Sequence, residues 1–129
     1  MYNRDILINK AREIKARFNA NFVILVHSSA EVLHGIKELT NDLDISGDFK
    51  GFENIEPSKC EPPHDLWFLE DDDVDICIVD DITNNVIPVD GEDGIYYSTI
   101  QQLLLDKESL GRDKDKKAII RINEFLKNM

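Results

Sequence analysis

Leu7, Ala11, Ile14 and Phe18 recur at intervals of four, three and four, while Arg4, Lys10, Arg12, Lys15 and Arg17 fall on the other faces. That spacing lines one face of an α-helix and predicts an amphipathic first helix. Asn19 and Asn21 end the pattern. Phe22 to Val26 is then apolar at every position and rich in β-branched residues, as in a central strand covered on both faces. Ser28 with Glu31 three residues on has the form of a capping box, opening a short helix over Ala30, Val32 and Leu33 that Gly35 helps to end.

Further along, Asp42-Leu43-Asp44-Ile45 alternates with the period of a strand, and Gly47 and Gly51 bracket another short extended segment. The Pro, Ser, Lys and Cys content of Glu53 to Pro63 reads as a loop. Leu66 to Leu69 and Val74 to Val79 are strand-like, with the acidic run Glu70 to Asp73 as the hairpin turn between them. Val86 to Val89 suits an edge strand, because Pro88 has no N–H to give to a ladder. Ser98 with Gln101 repeats the capping-box spacing ahead of Ile100, Leu103 and Leu104. A last helix is predicted from Lys114 to Lys127 with Ile119, Ile122 and Phe125 or Leu126 inward. Helix, strand, helix, several strands and two helices make a mixed β-sheet with helices against it, of the α/β or α+β class, and there is neither an internal repeat nor a low-complexity linker.

At 129 residues, residues 1–129 are expected to form a single domain around one core. Hydrophobic residues at 42% and charged residues at 32% argue against disorder and against a fibrous chain. The longest apolar run, Phe22 to Val26, is too short to cross a bilayer, and the N-terminus has no secretory apolar stretch, so a soluble cytoplasmic protein with no membrane partner is expected. Cys60 and Cys77 are then expected to be reduced thiols. A net charge of -11 opposes a protein whose main task is to grip a phosphate backbone. The charge is uneven, however. No Lys or Arg occurs between Lys59 and Lys107, and the cations gather at the two ends, which leaves local contact with a triphosphate or an RNA open.

The candidate chemistry lies in Asp42 and Asp44. Two positions apart on a strand, they share a face, roughly 7 Å apart at the backbone. Like charges that close repel, and a divalent cation with a taste for hard oxygen, Mg2+ above all, turns the arrangement favourable. Asp75, in Val74-Asp75-Ile76, is positioned to add a third carboxylate from a neighbouring strand.

The flanks of this pair carry a resemblance. Leu25-Val26-His27-Ser28-Ser29-Ala30, Leu33-His34-Gly35 and Thr40-Asn41-Asp42-Leu43-Asp44-Ile45 are similar to the small nucleotidyltransferases of the polymerase-beta-like superfamily, in particular the bacterial abortive-infection and toxin type. That group's segment runs Gly-Gly-x-Ala, then Leu-His-Gly, a basic residue, Thr, and Asp-(Ile or Leu)-Asp. Downstream, Leu103-Leu104, Lys107 and Gly111-Arg112-Asp113-Lys114-Asp115 resemble its Leu-Leu-x-x-Lys and Gly-Arg-x-Lys-Asp. Together the segments cover about half the chain.

The resemblance implies a minimal nucleotidyltransferase fold with Asp42 and Asp44 as catalytic metal ligands and Asp75 as the third acid. It makes Ser28 and Ser29 the phosphate-contacting turn, with Lys107 reaching a phosphate. It further implies Mg2+ (or Mn2+), a nucleoside triphosphate substrate, and transfer of a nucleoside monophosphate to a hydroxyl of an RNA or protein acceptor. The chain has His27 where the family has the first glycine of the turn, and Ala118 where the family commonly has a further acid. The alternative is therefore a catalytically degenerate copy that binds a protein partner or sequesters a nucleotide in a toxin-antitoxin or phage-defence system.

Other residues suggest simpler roles. His34 reads as a packed or hydrogen-bonded helix residue, and His64 as a loop residue. Trp67-Phe68 and Tyr96-Tyr97 read as core and sheet packing rather than as platforms for bases. Cys77 reads as a buried thiol. Lys114, Lys116 and Lys117 read as a solvated helix face that could meet an acidic partner or a nucleic acid.

Overall fold

The computed structural model describes residues 1–51, 60–61, 66–69, 73–82 and 85–129. Among the described residues, four helices and seven strands follow one another as α1 (Arg4–Arg17), β1 (Val23–Leu25), α2 (His27–His34), β2 (Leu43–Gly47), β3 (Cys60–Glu61), β4 (Leu66–Leu69), β5 (Val74–Ile78), β6 (Val86–Pro88), β7 (Ile95–Ser98), α3 (Ile100–Leu110) and α4 (Asp113–Lys127). The strands form one mixed sheet in the order β3-β4-β5-β2-β1-β7-β6. β1 runs antiparallel to β2 and parallel to β7, and β2 runs parallel to β5. The fold is α+β, with helices packed on a mixed sheet.

The first helix forms as its stripe predicts. Asn3 caps it by accepting from the Ile6 N–H at 2.9 Å, and Leu7, Ala11 and Ile14 are buried. Beneath them lie Val23 and Leu25 of β1, Leu43 and Ile45 of β2, Val74 and Ile76 of β5 and Ile95 of β7, which with Val32 and Leu33 of α2 make the main core. All three residues of β1 are buried, as a strand covered on both faces requires. A second, smaller core joins the remaining helices through Ala30 of α2, Leu103 of α3 and Ile122 of α4.

Several boundaries differ from the sequence expectation. The Ser28–Glu31 capping box does not form, since α2 starts at His27 with Val26 at its N-cap and no side chain capping it, while Glu31 points into the protein. The cap of α3 falls one residue later than expected. Thr99 accepts from the Gln102 N–H at 3.2 Å, and Ser98 is a buried residue of β7. Asp42 precedes β2 rather than opening it, and no strand lies between Gly47 and Gly51. Gly47 ends β2 where a Cβ would come within 2.7 Å of the Phe22 carbonyl oxygen and 2.9 Å of the Phe49 ring. Cys60–Glu61, expected in a loop, pairs with β4. The inward face of α4 is Asp115, Ala118 and Ile122, with Leu126 exposed.

Three expectations hold. β4 and β5 pair as an antiparallel hairpin with Leu69 opposite Val74, β6 is an edge strand, and Gly35 ends α2 at φ +81°. The acidic residues 70–72 of the hairpin turn, His64, and the side chains of Cys60, Trp67 and Phe68 lie outside the described residues. No helix among the described residues is long and apolar enough to cross a membrane.

Candidate active site

The side chains of β2 and β5 alternate between two faces. Leu43, Ile45, Val74 and Ile76 are buried toward α1, so Asp44, Ser46, Asp75 and Cys77 project the other way. The parallel register sets Asp44 beside Asp75 and Ser46 beside Cys77. These four residues line a cavity of about 720 Å³. It lies where β1 ends, α2 begins and β2 and β5 start.

Asp44 is held from behind. Its N–H donates to Ser29 Oγ at 3.0 Å, its carbonyl accepts from the Val26 N–H at 3.0 Å, and the Ser29 hydroxyl donates to the Asp42 carbonyl at 3.3 Å. Burial, then a hydrogen bond to Asp75 and the negative charges of Asp75 and Asp42, push the Asp44 carboxyl up to about 7. Asp44 thus holds its proton to higher pH than a free aspartate does.

The opposite wall is basic. Lys107 of α3 and Arg112, Lys114, Lys117 and Arg121 around α4 line the same cavity with Lys37, and these cations outnumber Asp106 and Asp115 beside them. Lys107 is only 6% exposed, with Nζ 3.8 Å from Asp115 Oδ1. Burial lowers its pKa, while Glu31, Asp115 and Asp44 oppose that shift. Asp115, itself 1% exposed, accepts from Arg112 Nε at 2.7 Å and caps α4 by accepting from the Arg112 N–H at 3.1 Å. The Arg112 guanidinium holds the Asp115 carboxyl below the usual carboxylate range. A second pair ties α4 to α2, since Arg121 donates through Nε and Nη2 to Glu31 Oε1 at 3.0 and 2.8 Å. Glu31 is fully buried, and its Oε2 has no hydrogen-bond partner among the described residues.

Of the residues singled out from sequence, Asp42, Asp44, Asp75, Ser28 and Lys107 line this cavity. Asp44 and Asp75 form the close pair. Asp42 is exposed at the entry to β2, and the expected convergence of three acids is met by two, because Asp42 falls outside the pleat that aims Asp44. Ser29 is corrected. One residue along a helix turns the side chain by about 100°, so Ser28 faces the cavity while Ser29 faces β2, wholly buried, with its hydroxyl spent on the β2 backbone. Cys77, expected to be buried, is half-buried on the cavity wall. His34 is packed as expected, its Nε2 donating to the Ser98 carbonyl at 2.7 Å and its ring edge-on to Tyr97 at 4.9 Å.

His27 adopts φ +51°, the left-handed region that favours glycine. Its Nδ1 is buried with no hydrogen-bond partner among the described residues, and burial, reinforced by Lys107, lowers its pKa. Glu31, Arg121 and Asp115 were missed as site residues. A lone acid inside the apolar stretch Ala30 to Leu33 and the i, i+3 spacing of Arg112 and Asp115 were the available signals.

No group of three or more His, Cys, Asp and Glu side chains that could hold a metal is gathered among the described residues. The donor set still suits Mg2+. That ion is commonly held by one or two carboxylates with substrate phosphates completing its shell, and Asp44 with Asp75 supplies such a pair. Comparison with protein-family models, curated proteins and solved structures finds no match to this chain.

Proposed function

We propose that the chain is a divalent-cation-dependent nucleotidyltransferase of the polymerase-beta-like kind, transferring a nucleoside monophosphate from a triphosphate to an acceptor hydroxyl. One observation carries this reading: the Asp44–Asp75 pair, in register on parallel strands, faces a basic wall across a cavity of about 720 Å³. Acids that repel when ionised ask for a cation, and a basic wall opposite them asks for an anion. A triphosphate with its Mg2+ or Mn2+ brings both.

The cation, bound at Asp44 and Asp75 with Asp42 at the rim, would supply neutralising charge at the reacting phosphate. Lys107 and Arg112 hold the phosphates and stabilise the departing pyrophosphate. Asp115 fixes both cations in place. Ser28, in the first turn of α2, presents its hydroxyl to the same phosphates. The acceptor oxygen bonds to the α-phosphorus as the bond to the pyrophosphate oxygen breaks. The hydroxyl proton passes to water as the acceptor oxygen attacks. The acceptor belongs to an RNA or a protein, and the donor is a cytoplasmic triphosphate.

A second reading, a degenerate copy that sequesters nucleotide or binds a protein, is favoured by one observation. His27 holds a glycine-like conformation at the turn and its ring lines the cavity that the triphosphate would have to enter. Incubation with α-labelled and γ-labelled triphosphates, RNA and protein acceptors and Mg2+ separates the readings. The enzyme transfers only α-label and Asp44→Asn abolishes the transfer. Label that appears with His27→Gly but not with the unaltered protein supports the degenerate copy.

A further inference from the structure

A second hollow of about 120 Å³ adjoins the main cavity and shares Val26, Ser46 and Asp106 with it. Its remaining lining is mixed, with Ile24 of β1, Val79 just after β5 and Val86 of β6 as apolar surface and Asp81, Ser98 and Gln102 as polar groups. For scale, a closed cavity of about 150 Å³ accommodates benzene, so this hollow is of the order of one flat ring. Asp106 of α3 stands at the junction, one residue before Lys107 of the basic wall. Gln102 Nε2 donates to Asp106 Oδ1 at 2.8 Å, which fixes a carboxylate that lines both hollows. Across the floor, Ile24 and Ser46 are register partners on β1 and β2, so the two hollows rest on one continuous stretch of sheet.

We propose that this hollow takes the base of a ribonucleoside triphosphate and that Asp106 selects ribose over deoxyribose by accepting from a ribose hydroxyl. The proposal rests on the main cavity holding a triphosphate. In any nucleotide the phosphates leave the sugar at one carbon and the base at another, so a molecule filling adjoining hollows sets its sugar at their junction. A carboxylate is acceptor-only and a sugar hydroxyl can donate, which is the pairing other nucleotide folds use for the ribose 2′-hydroxyl. A carboxylate beside a triphosphate is otherwise repulsive, and a hydroxyl partner gives its position a use. Asp106 is thus a specificity-determining residue rather than a part of the acid pair.

Calorimetric titration in Mg2+ tests this with the four ribonucleoside triphosphates, their 2′-deoxy counterparts and inorganic tripolyphosphate. A hydrogen bond to a charged group is worth enough that the best ribonucleotide should bind about 10-fold or more tightly than its deoxy form. Asp106→Ala should bring that ratio to within about twofold, while tripolyphosphate binding stays the same or tightens as a negative charge is lost. Asp106→Asn keeps the side-chain shape and the Gln102 contact, and should lower the ratio without loss of fold. Equal binding of ribo and deoxy forms by the unaltered protein, or a ratio kept in both variants, overturns the proposal. Tripolyphosphate binding as tightly as every nucleotide also overturns it and leaves the transferase reading standing. If nothing binds, tripolyphosphate included, both fall.

Discussion

His27 spends conformational energy that a glycine at the same place would not. With φ at +51°, a side chain in the left-handed region costs about 1–2 kcal/mol, and its buried Nδ1 adds an unmet hydrogen bond. His27→Gly is therefore expected to raise the urea midpoint by an amount equivalent to about 1 kcal/mol. A fall would mean that packing of the ring outweighs the strain. Asp44 gives a pH signature of its own. Its folded carboxyl sits at about 7 against 3.8 when unconstrained, so between those values the folded state holds a proton that the unfolded chain has released. The contribution of this group to the stability of the metal-free protein is thus greatest below pH 4, is lost as pH rises through 7, and is level above that. Urea midpoints from pH 4 to 8 should show this decline, and Asp44→Asn should flatten it and be the more stable form at pH 8. Asp42, Asp44 and Asp75 were legible as candidates because alternation on a strand is written in the sequence. The role of Ser29 was not, because a serine next to Ser28 reads the same whether its hydroxyl meets a ligand or a neighbouring strand.

At the scale of elements, α2 and α4 are clamped by a half-buried ion pair. Glu31 has no exposure while the Arg121 side chain is 38% exposed, so Arg121→Met leaves an interior carboxylate short of a partner and should destabilise by about 1–3 kcal/mol. Glu31→Leu with Arg121→Met should recover most of that loss, which a thermodynamic double-mutant cycle would register as strong coupling. Additive effects would contradict the clamp. The cap of α3 offers a smaller test. Thr99→Ala should cost about 1 kcal/mol, since its hydroxyl accepts the Gln102 N–H. The one-residue error in locating this cap has a physical source. Ser98-x-x-Gln101 and Thr99-x-x-Gln102 carry the same pattern in register, and only the pairing of Ser98 into β7 decides between them. β7 itself was hidden because Ile95-Tyr96-Tyr97-Ser98 does not alternate cleanly in polarity, its tyrosines being half-buried on both faces.

Across the whole molecule, the element order was readable and the sheet order was not. Periodicity reports which residues share a face, but nothing in Val23 to Leu25 says that β2 and β7 will flank it. The same limit applied to charge. A net charge of -11 counts against polyanion binding, yet the fold turns α3 and α4 so that Lys107, Arg112, Lys114, Lys117 and Arg121 collect on one wall. The pairing of acidic floor and basic wall is a property of the folded chain, and it underlies the central claim that Asp44 and Asp75 hold a cation beneath a triphosphate. The most direct test is the thermal midpoint as Mg2+ or Mn2+ is raised, with and without nucleoside triphosphate, for the unaltered protein and for Asp44→Asn. A ligand bound only by the folded state at about 100 times its Kd stabilises by about 2.7 kcal/mol. The midpoint should climb with the metal, climb further with triphosphate, and stay put in Asp44→Asn. A midpoint indifferent to the metal, or an equal response in the variant, would contradict the central claim.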